Sequence, residues 1–286
     1  MPRQEYFDSI IRWQEAHNGV TGLTAANIGY ENGVLGGVVT ALNVFCSRGD
    51  KVLLHSPTYV GFTGSLTNNG YDIVHSPLVQ DENGVWRMDF EDMERKIVEN
   101  KIHATVMCSP HNPTGRVWER WELEQAMALY KKYDVFVISD EIWSDIILAG
   151  NKHTPTQSVS DDAKQRTIAM YAPSKTFNIA GIVSSYAIIP DASLRERFYS
   201  WLSACEMDAP TIFAMVATEA AFRNGESWRR QMLAYIEQNI DFVDDYLCQN
   251  LPMIKLLKPQ ASFLAWLDFS ALGLSHDVLN DLVVNQ

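Results

Sequence analysis

Cysteine is scarce and scattered in this chain. Cys46, Cys108, Cys205 and Cys248 form neither a CxxC pair nor a Cys/His spacing of the kind that holds zinc. No metal site and no disulfide framework is expected, and the thiols read as buried groups of a reducing compartment, the cytoplasm. Positive charge is also in short supply. With 23 Lys and Arg against 35 Asp and Glu, a net charge of -12 and no basic block, nucleic acid and anionic membrane surfaces are excluded as main partners. No apolar run approaches the ~20 residues that span a bilayer. The opening PRQEYFDSIIRWQEAHNG lacks the basic start and apolar core of a secretion signal. A soluble globular chain is expected.

What is present is a large core-forming content, 47% hydrophobic and 11% aromatic over 286 residues. Short β-rich runs alternate with longer helical patterns: KVLLHSP (51–57), YDIVHSP (71–77), HATVMCSP (103–110), DVFVISDE (134–141), RTIAMYAP (166–173) and SSYAIIP (184–190). Between them, VWERWELEQAMALYKKY (117–133) and DFEDMERKIVENK (89–101) carry apolar residues at helical spacing. Strand alternating with helix predicts an α/β fold with a mostly parallel sheet. From Asp191 to Leu251 the pattern is almost wholly helical, and SFLAWLDF (262–269) starts a new β-type run before a last amphipathic helix opened by Ser275.

Several strands run straight into polar residues, and the carboxyl ends of parallel strands are where open α/β sheets place ligands. Three such ends carry Asn112 in SPHNPTG, Asp140 in VISDEIWSD and Lys175 in YAPSKTFN. Each alone has a plainer reading, since NPTG is a turn sequence by itself, Asp140 suits a helix cap and Lys175 suits an exposed turn. Together, an amine, a carboxylate and an amide supply what pyridoxal phosphate needs. The amine forms an imine with the aldehyde, the carboxylate keeps the pyridine nitrogen protonated, and the amide contacts the ring hydroxyl.

In order and spacing, SPHNPTGRVW, VISDEIWSD and SKTFNIAG resemble the fold-type I pyridoxal-phosphate enzymes of the class I/II aminotransferase group, with Asp140 28 residues after Asn112 and Lys175 35 further on. Within that group the SKTFNIAG segment and ASFLAWLDF (261–269) are most similar to the MalY/PatB-type cystathionine β-lyases. The resemblance implies an aspartate-aminotransferase-like large domain over residues 1–255 and the start of a small C-terminal α/β domain over 256–286. It implies further that Lys175 bonds the cofactor aldehyde, Asp140 partners the pyridinium, Asn112 contacts the ring hydroxyl and Tyr59, in HSPTYVGF, packs on the ring.

For the phosphate, IGYENGVLGGVVTALNVF (28–45) reads as a Gly-containing turn entering a helix, so that backbone N–H groups of Gly33, Val34 and Leu35 can face an anion. Gly36 and Gly37 read equally well as positions where the helix packs closely on the sheet. Ser174 is a further candidate phosphate donor. The chain departs from its look-alikes at Ala172 and Val183, where many carry a serine and a basic residue that serve the phosphate. It departs again at Trp143, where tyrosine or histidine is usual; an indole N–H donates a hydrogen bond but cannot act as a base. Arg116, Arg195 and Arg197 do not match the position of the substrate-carboxylate arginine, which leaves that role unassigned.

The resemblance also implies an N-terminal segment and a fuller small domain beyond what this chain contains, a homodimer when full length, and a cis X-Pro bond near the cofactor, most simply Asn112-Pro113. The expected activity is a carbon-sulfur β-lyase acting on a small, sulfur-containing amino acid. An aminotransferase using the same lysine is the alternative, and a non-catalytic regulator on the same fold is a second.

Overall fold

The computed structural model describes residues 3–285. In chain order the elements are α1 (Gln4–Asn18), β1 (Ile28–Glu31), α2 (Val34–Phe45), β2 (Lys51–Ser56), α3 (Val60–Asn68), β3 (Asp72–Pro77), β4 (Val79–Gln80) and β5 (Trp86–Arg87). Next come α4 (Phe90–Asn100), β6 (Ala104–Cys108), α5 (Arg120–Lys132), β7 (Phe136–Asp140), α6 (Asp161–Arg166), β8 (Thr167–Tyr171), α7 (Pro173–Thr176) and β9 (Ser185–Ile188). Helices α8 (Ala192–Ala204), α9 (Ile212–Asn224) and α10 (Glu226–Asn250) follow, then β10 (Lys255–Leu257), β11 (Trp266–Asp268) and α11 (His276–Asn285). No helix among the described residues is long and apolar enough to cross a membrane.

Seven strands form one sheet in the order β1-β9-β8-β7-β6-β2-β3. The ladders from β3 through β2, β6 and β7 to β8 are parallel, whereas β9 is antiparallel to β8 and β1 to β9. The fold is thus the mostly parallel α/β sheet expected. Strands β6 and β8 are buried along their whole length, as parallel strands covered on both faces must be. Alternation along the strands divides the core. Leu54, Val106, Ile138 and Ile168 pack with Val38 and Leu42 of α2 and Phe198 of α8, while Leu53, Met107 and Val137 pack with α4 and α5.

The helices obey the same logic. In α5, Leu123, Ala126, Met127 and Tyr130 form one buried stripe. Helix α4 starts where Asp89 accepts the Asp92 N–H at 3.0 Å. Helix α1 lays Tyr6, Ile10 and Trp13 on the end of the sheet with Tyr171, Tyr186 and Phe222.

Two readings of the sequence need correction. The segment 28–45 is not only a turn entering a helix: Ile28–Glu31 is first a strand, made so by its ladder with β9, in which Ile28 faces Ile188. The cysteines are not all buried; Cys108 is, Cys46 is half-buried, and Cys205 and Cys248 are exposed at the end of α8 and on α10. Near the cleft, Asn112-Pro113 is cis as expected, and Ser56-Pro57 and Ser109-Pro110 are cis as well.

Candidate active site

Because β6, β7 and β8 are parallel neighbours, their carboxyl ends open on one side of the sheet. The register sets Cys108 beside Asp140 and Asp140 beside Met170, and the Ser109 N–H donates to the Asp140 carbonyl at 2.9 Å. Lys175 follows β8 on the four-residue helical turn α7, which begins at Pro173, a residue whose missing N–H costs nothing at a first helical position. These ends and the start of α2 enclose a cleft of about 330 Å³, lined among others by Asn112, Asp140, Trp143, Ser174 and Lys175. Gly33, Val34, Leu35 and Tyr59 line it too, so all nine residues singled out in the sequence meet there.

Gly33 is the N-cap of α2 at φ +84°, a conformation glycine adopts without a Cβ penalty, and it turns the first N–H groups of the helix outward. The adjacent glycines differ in purpose. A Cβ on Gly36 would meet nothing within 4 Å, whereas one on Gly37 would lie 2.9 Å from both Glu31 Oε2 and Met170 Sδ. Gly37 therefore permits close packing of α2 on the sheet, while Gly36 lines the cleft.

Asp140 is buried, and one carboxylate oxygen accepts the Ile142 N–H at 3.0 Å. Burial pushes its carboxyl up to about 7, with the neighbouring Glu141 charge adding to the rise and the Ile142 N–H and the Lys175 ammonium opposing it. Glu141, facing the other way, is fully satisfied. It accepts from His153 Nε2 at 2.8 Å, the Tyr171 hydroxyl at 2.7 Å and the Thr156 N–H at 3.0 Å. Burial works against that carboxylate, and these donors outweigh it and hold it below its ordinary value. The Lys175 ammonium lies 5.6 Å from the centre of the Trp143 ring, within cation–π reach, and Phe263 meets the same indole edge-on at 4.8 Å.

The cleft also includes Asn32, Cys108, Ile142 and Ala180, which the sequence did not single out. Cys108 had a visible signal, as the last residue of a buried run ending directly at SPHNP; the others had none. The three arginines left unassigned are engaged elsewhere. Arg116 pairs with Glu122 at 2.6 Å, Arg195 donates to the Ile189 carbonyl at 2.7 Å and Arg197 to the Val44 carbonyl at 3.1 Å.

A sheet whose parallel strand ends gather a lysine, a buried aspartate and a helix N-terminus belongs to a known class, and the Aminotransferase class I and II family model matches residues 4–285. The chain belongs to that family. It is 39% identical over 274 residues to cystathionine beta-lyase PatB of Bacillus subtilis (strain 168), covering 96% of this chain and 70% of that protein. Among solved structures, cystalysin from Treponema denticola, which contains a pyridoxal 5'-phosphate cofactor, superimposes with a TM-score of 0.95 at 31% identity, over 99% of this chain and 72% of that one. A PLP-bound putative aminotransferase from Clostridium difficile 630 gives the same TM-score, 0.95, at 37% identity, over 100% of this chain and 73% of its own.

Proposed function

We propose that this chain is a pyridoxal-phosphate-dependent carbon-sulfur β-lyase that releases a thiol, pyruvate and ammonia from cystathionine or another S-substituted cysteine. The observation that carries the reading is the convergence of Lys175, Asp140 and Asn112 on one cleft in a chain 39% identical to a cystathionine beta-lyase. The donor set fits the cofactor. A buried carboxyl with a raised pKa is short of a cationic partner, which a pyridinium N–H supplies, and the open N-terminus of α2 at Gly33 suits a phosphate.

When bound, pyridoxal phosphate supplies an aldehyde that condenses with amines and a ring that takes up an electron pair. Lys175 would contribute the amine that holds the aldehyde, and its Nζ would take the substrate α-proton. Asp140 would keep a proton on the ring nitrogen, and Asn112 would orient the ring through its hydroxyl. Gly33, Val34, Leu35 and Ser174 would hold the phosphate, and Tyr59 would pack on the ring. Trp143 offers an indole N–H beside Lys175 and takes no proton. In the net reaction the Cα–H and Cβ–S bonds break. Sulfur leaves with the bonding pair and is protonated to a thiol, and one water is consumed as the remaining atoms leave as pyruvate and ammonia.

A homodimer is part of the same proposal. It is supported by exposed apolar residues: Val60 next to the cleft residue Tyr59, Val183, and Ile212 and Phe213 at the start of α9, the last 81% exposed. The Tyr30 hydroxyl ties Val183 to β1 at 3.1 Å.

The test is to supply the cofactor-loaded protein with cystathionine and to measure pyruvate and free thiol together. Equal amounts of both, lost in Lys175→Ala, are expected. A keto acid that keeps the substrate carbon skeleton, formed only with an amino acceptor present, would replace the lyase reading with an aminotransferase.

A further inference from the structure

At the amino-terminal ends of β2 and β6, the opposite ends of the parallel strands from the cleft, three side chains from separate segments come together. Cys46 is the C-cap of α2, Asp50 directly precedes β2 and His103 directly precedes β6. Strands β2 and β6 pair in parallel with Val52 beside Ala104, which brings the two chain segments before them side by side. As a result the Cys46 thiol, an Asp50 carboxylate oxygen and an imidazole nitrogen of His103 all lie within 4.8 Å of one another. His103 Nε2 is 3.2 Å from Asp50 Oδ2.

The backbone beneath these groups is pinned. The Ser47 N–H donates to Asp50 Oδ2 at 2.6 Å, and the Asp50 N–H returns to the Ser47 carbonyl at 3.0 Å. The Asp72 N–H donates to the Asp50 carbonyl at 3.0 Å and the Phe136 N–H to that of His103 at 2.8 Å. The three donors are therefore presented by a closed tight turn and the start of a central strand.

We propose that Cys46, Asp50 and His103 bind a single divalent cation of the zinc class, with water in the fourth position. Thiolate, imidazole and carboxylate are the ligand types zinc takes, at about 2.0–2.3 Å each, which places the donors of a tetrahedral site roughly 3.3–3.8 Å apart. Side-chain rotation of about 1 Å closes the present spacing to that geometry. Charge balances, because the aspartate and the cysteine thiolate neutralise the dication, and the proton displaced from sulfur goes to solvent. The carboxyl end of α2 further favours a cation. Asp50 and His103 are partly exposed, which gives the ion a way in.

The site is separate from the cleft. Strand β6 runs five residues from Ala104 to Cys108, about 17 Å at the usual rise, so a cation here acts as a clasp between α2, β2 and β6 rather than on the reacting atoms. The sequence could not show it, because no two of the ligands share a metal-binding spacing.

Cadmium is the probe, since its thiolate bond absorbs in the ultraviolet. Chelator-treated, cofactor-loaded protein titrated with CdCl2 at micromolar concentration should develop this absorption with a one-to-one endpoint, and ZnCl2 should displace it. Cys46→Ser should abolish it. His103→Gln, at a partly exposed position, should weaken binding by more than about tenfold, the low end of what even outer-sphere partners contribute. The double variant Cys205→Ser/Cys248→Ser should leave it intact. Circular dichroism checks that each variant is folded; if Cys46→Ser does not fold, the His103→Gln result decides. The proposal is overturned if micromolar cadmium gives no signal, if the signal persists unchanged in Cys46→Ser or His103→Gln, or if it disappears with Cys205 and Cys248, which would mean adventitious binding at exposed thiols only.

Discussion

Thr176 donates a hydrogen bond from its hydroxyl to Asp145 Oδ2 at 3.0 Å, joining the residue after Lys175 to the loop that follows Asp140. The other Asp145 oxygen accepts Trp13 Nε1 at 2.9 Å, and its carbonyl accepts Arg229 Nη1 at 2.9 Å. Both Thr176 and Asp145 are buried, so the strand-end loops carrying the candidate lysine and carboxylate are bolted to each other and to α1 and α10.

Replacing Thr176 by valine keeps the shape and removes the donor. A buried carboxylate oxygen then loses its partner, which should lower stability by about 1–3 kcal/mol in urea denaturation. Pyruvate release should fall roughly 10- to 100-fold as Lys175 loses its fixed position. Unchanged turnover with lowered stability would mean that the bond supports the fold and not the lysine.

Asp140 has the opposite relation to its surroundings. A carboxyl that holds its proton up to about 7 in the fold but only to about 4 when unfolded contributes stability below pH ~4, which is lost as the pH rises through about 7. Cofactor-free protein should thus lose melting temperature between pH 5 and pH 8, and Asp140→Asn should flatten that slope. The same substitution should reduce pyruvate release by about 10²- to 10⁴-fold, because a neutral amide does not hold the ring proton. A variant with the wild-type pH slope would separate Asp140 from this behaviour.

Glu31 is fully buried beneath α2, and neither carboxylate oxygen has a protein hydrogen-bond partner. Burial holds its carboxyl well above the ordinary range, so its contribution to stability also falls as the pH rises above ~4. Glu31→Gln, neutral at every pH, should raise the melting temperature at pH 8 and change it little at pH 4. Equal shifts at both would show that packing, not charge, governs the site.

Val183 stands where many look-alikes carry a basic residue. It is at φ +51°, unusual for a β-branched side chain, and its Cγ1 is 3.5 Å from where a Cβ on Gly33 would lie. Val183→Arg places a guanidinium near the start of α2, and cofactor affinity, read from the visible absorption on titration, should rise about tenfold. No gain would remove the phosphate from this end of the cleft.

Much of the fold was legible in the sequence. The six apolar runs ending in polar turns became β2, β3, β6, β7, β8 and β9; the signal is plainest for β6 and β8, parallel strands covered on both faces and therefore continuously apolar. Helices 89–101 and 117–133 followed from their apolar spacing, appearing as Phe90–Asn100 and Arg120–Lys132. Strand β1 and the β4–β5 hairpin were not legible, because four-residue and two-residue strands carry no period and exist only through their partners.

Sequence alone determined the family and most of the sheet and singled out Lys175, Asp140 and Asn112 as candidates, because Asp140 ends a buried strand, Asn112 and Lys175 follow within four residues of one, and parallel strands share one end. Tertiary structure alone decided what surrounds them. The Glu141 network, the Thr176–Asp145 bond, the close packing at Gly37 and the Cys46–Asp50–His103 cluster all join residues from different elements. Their geometry depends on strand register and helix docking, and neither leaves a spacing in the chain.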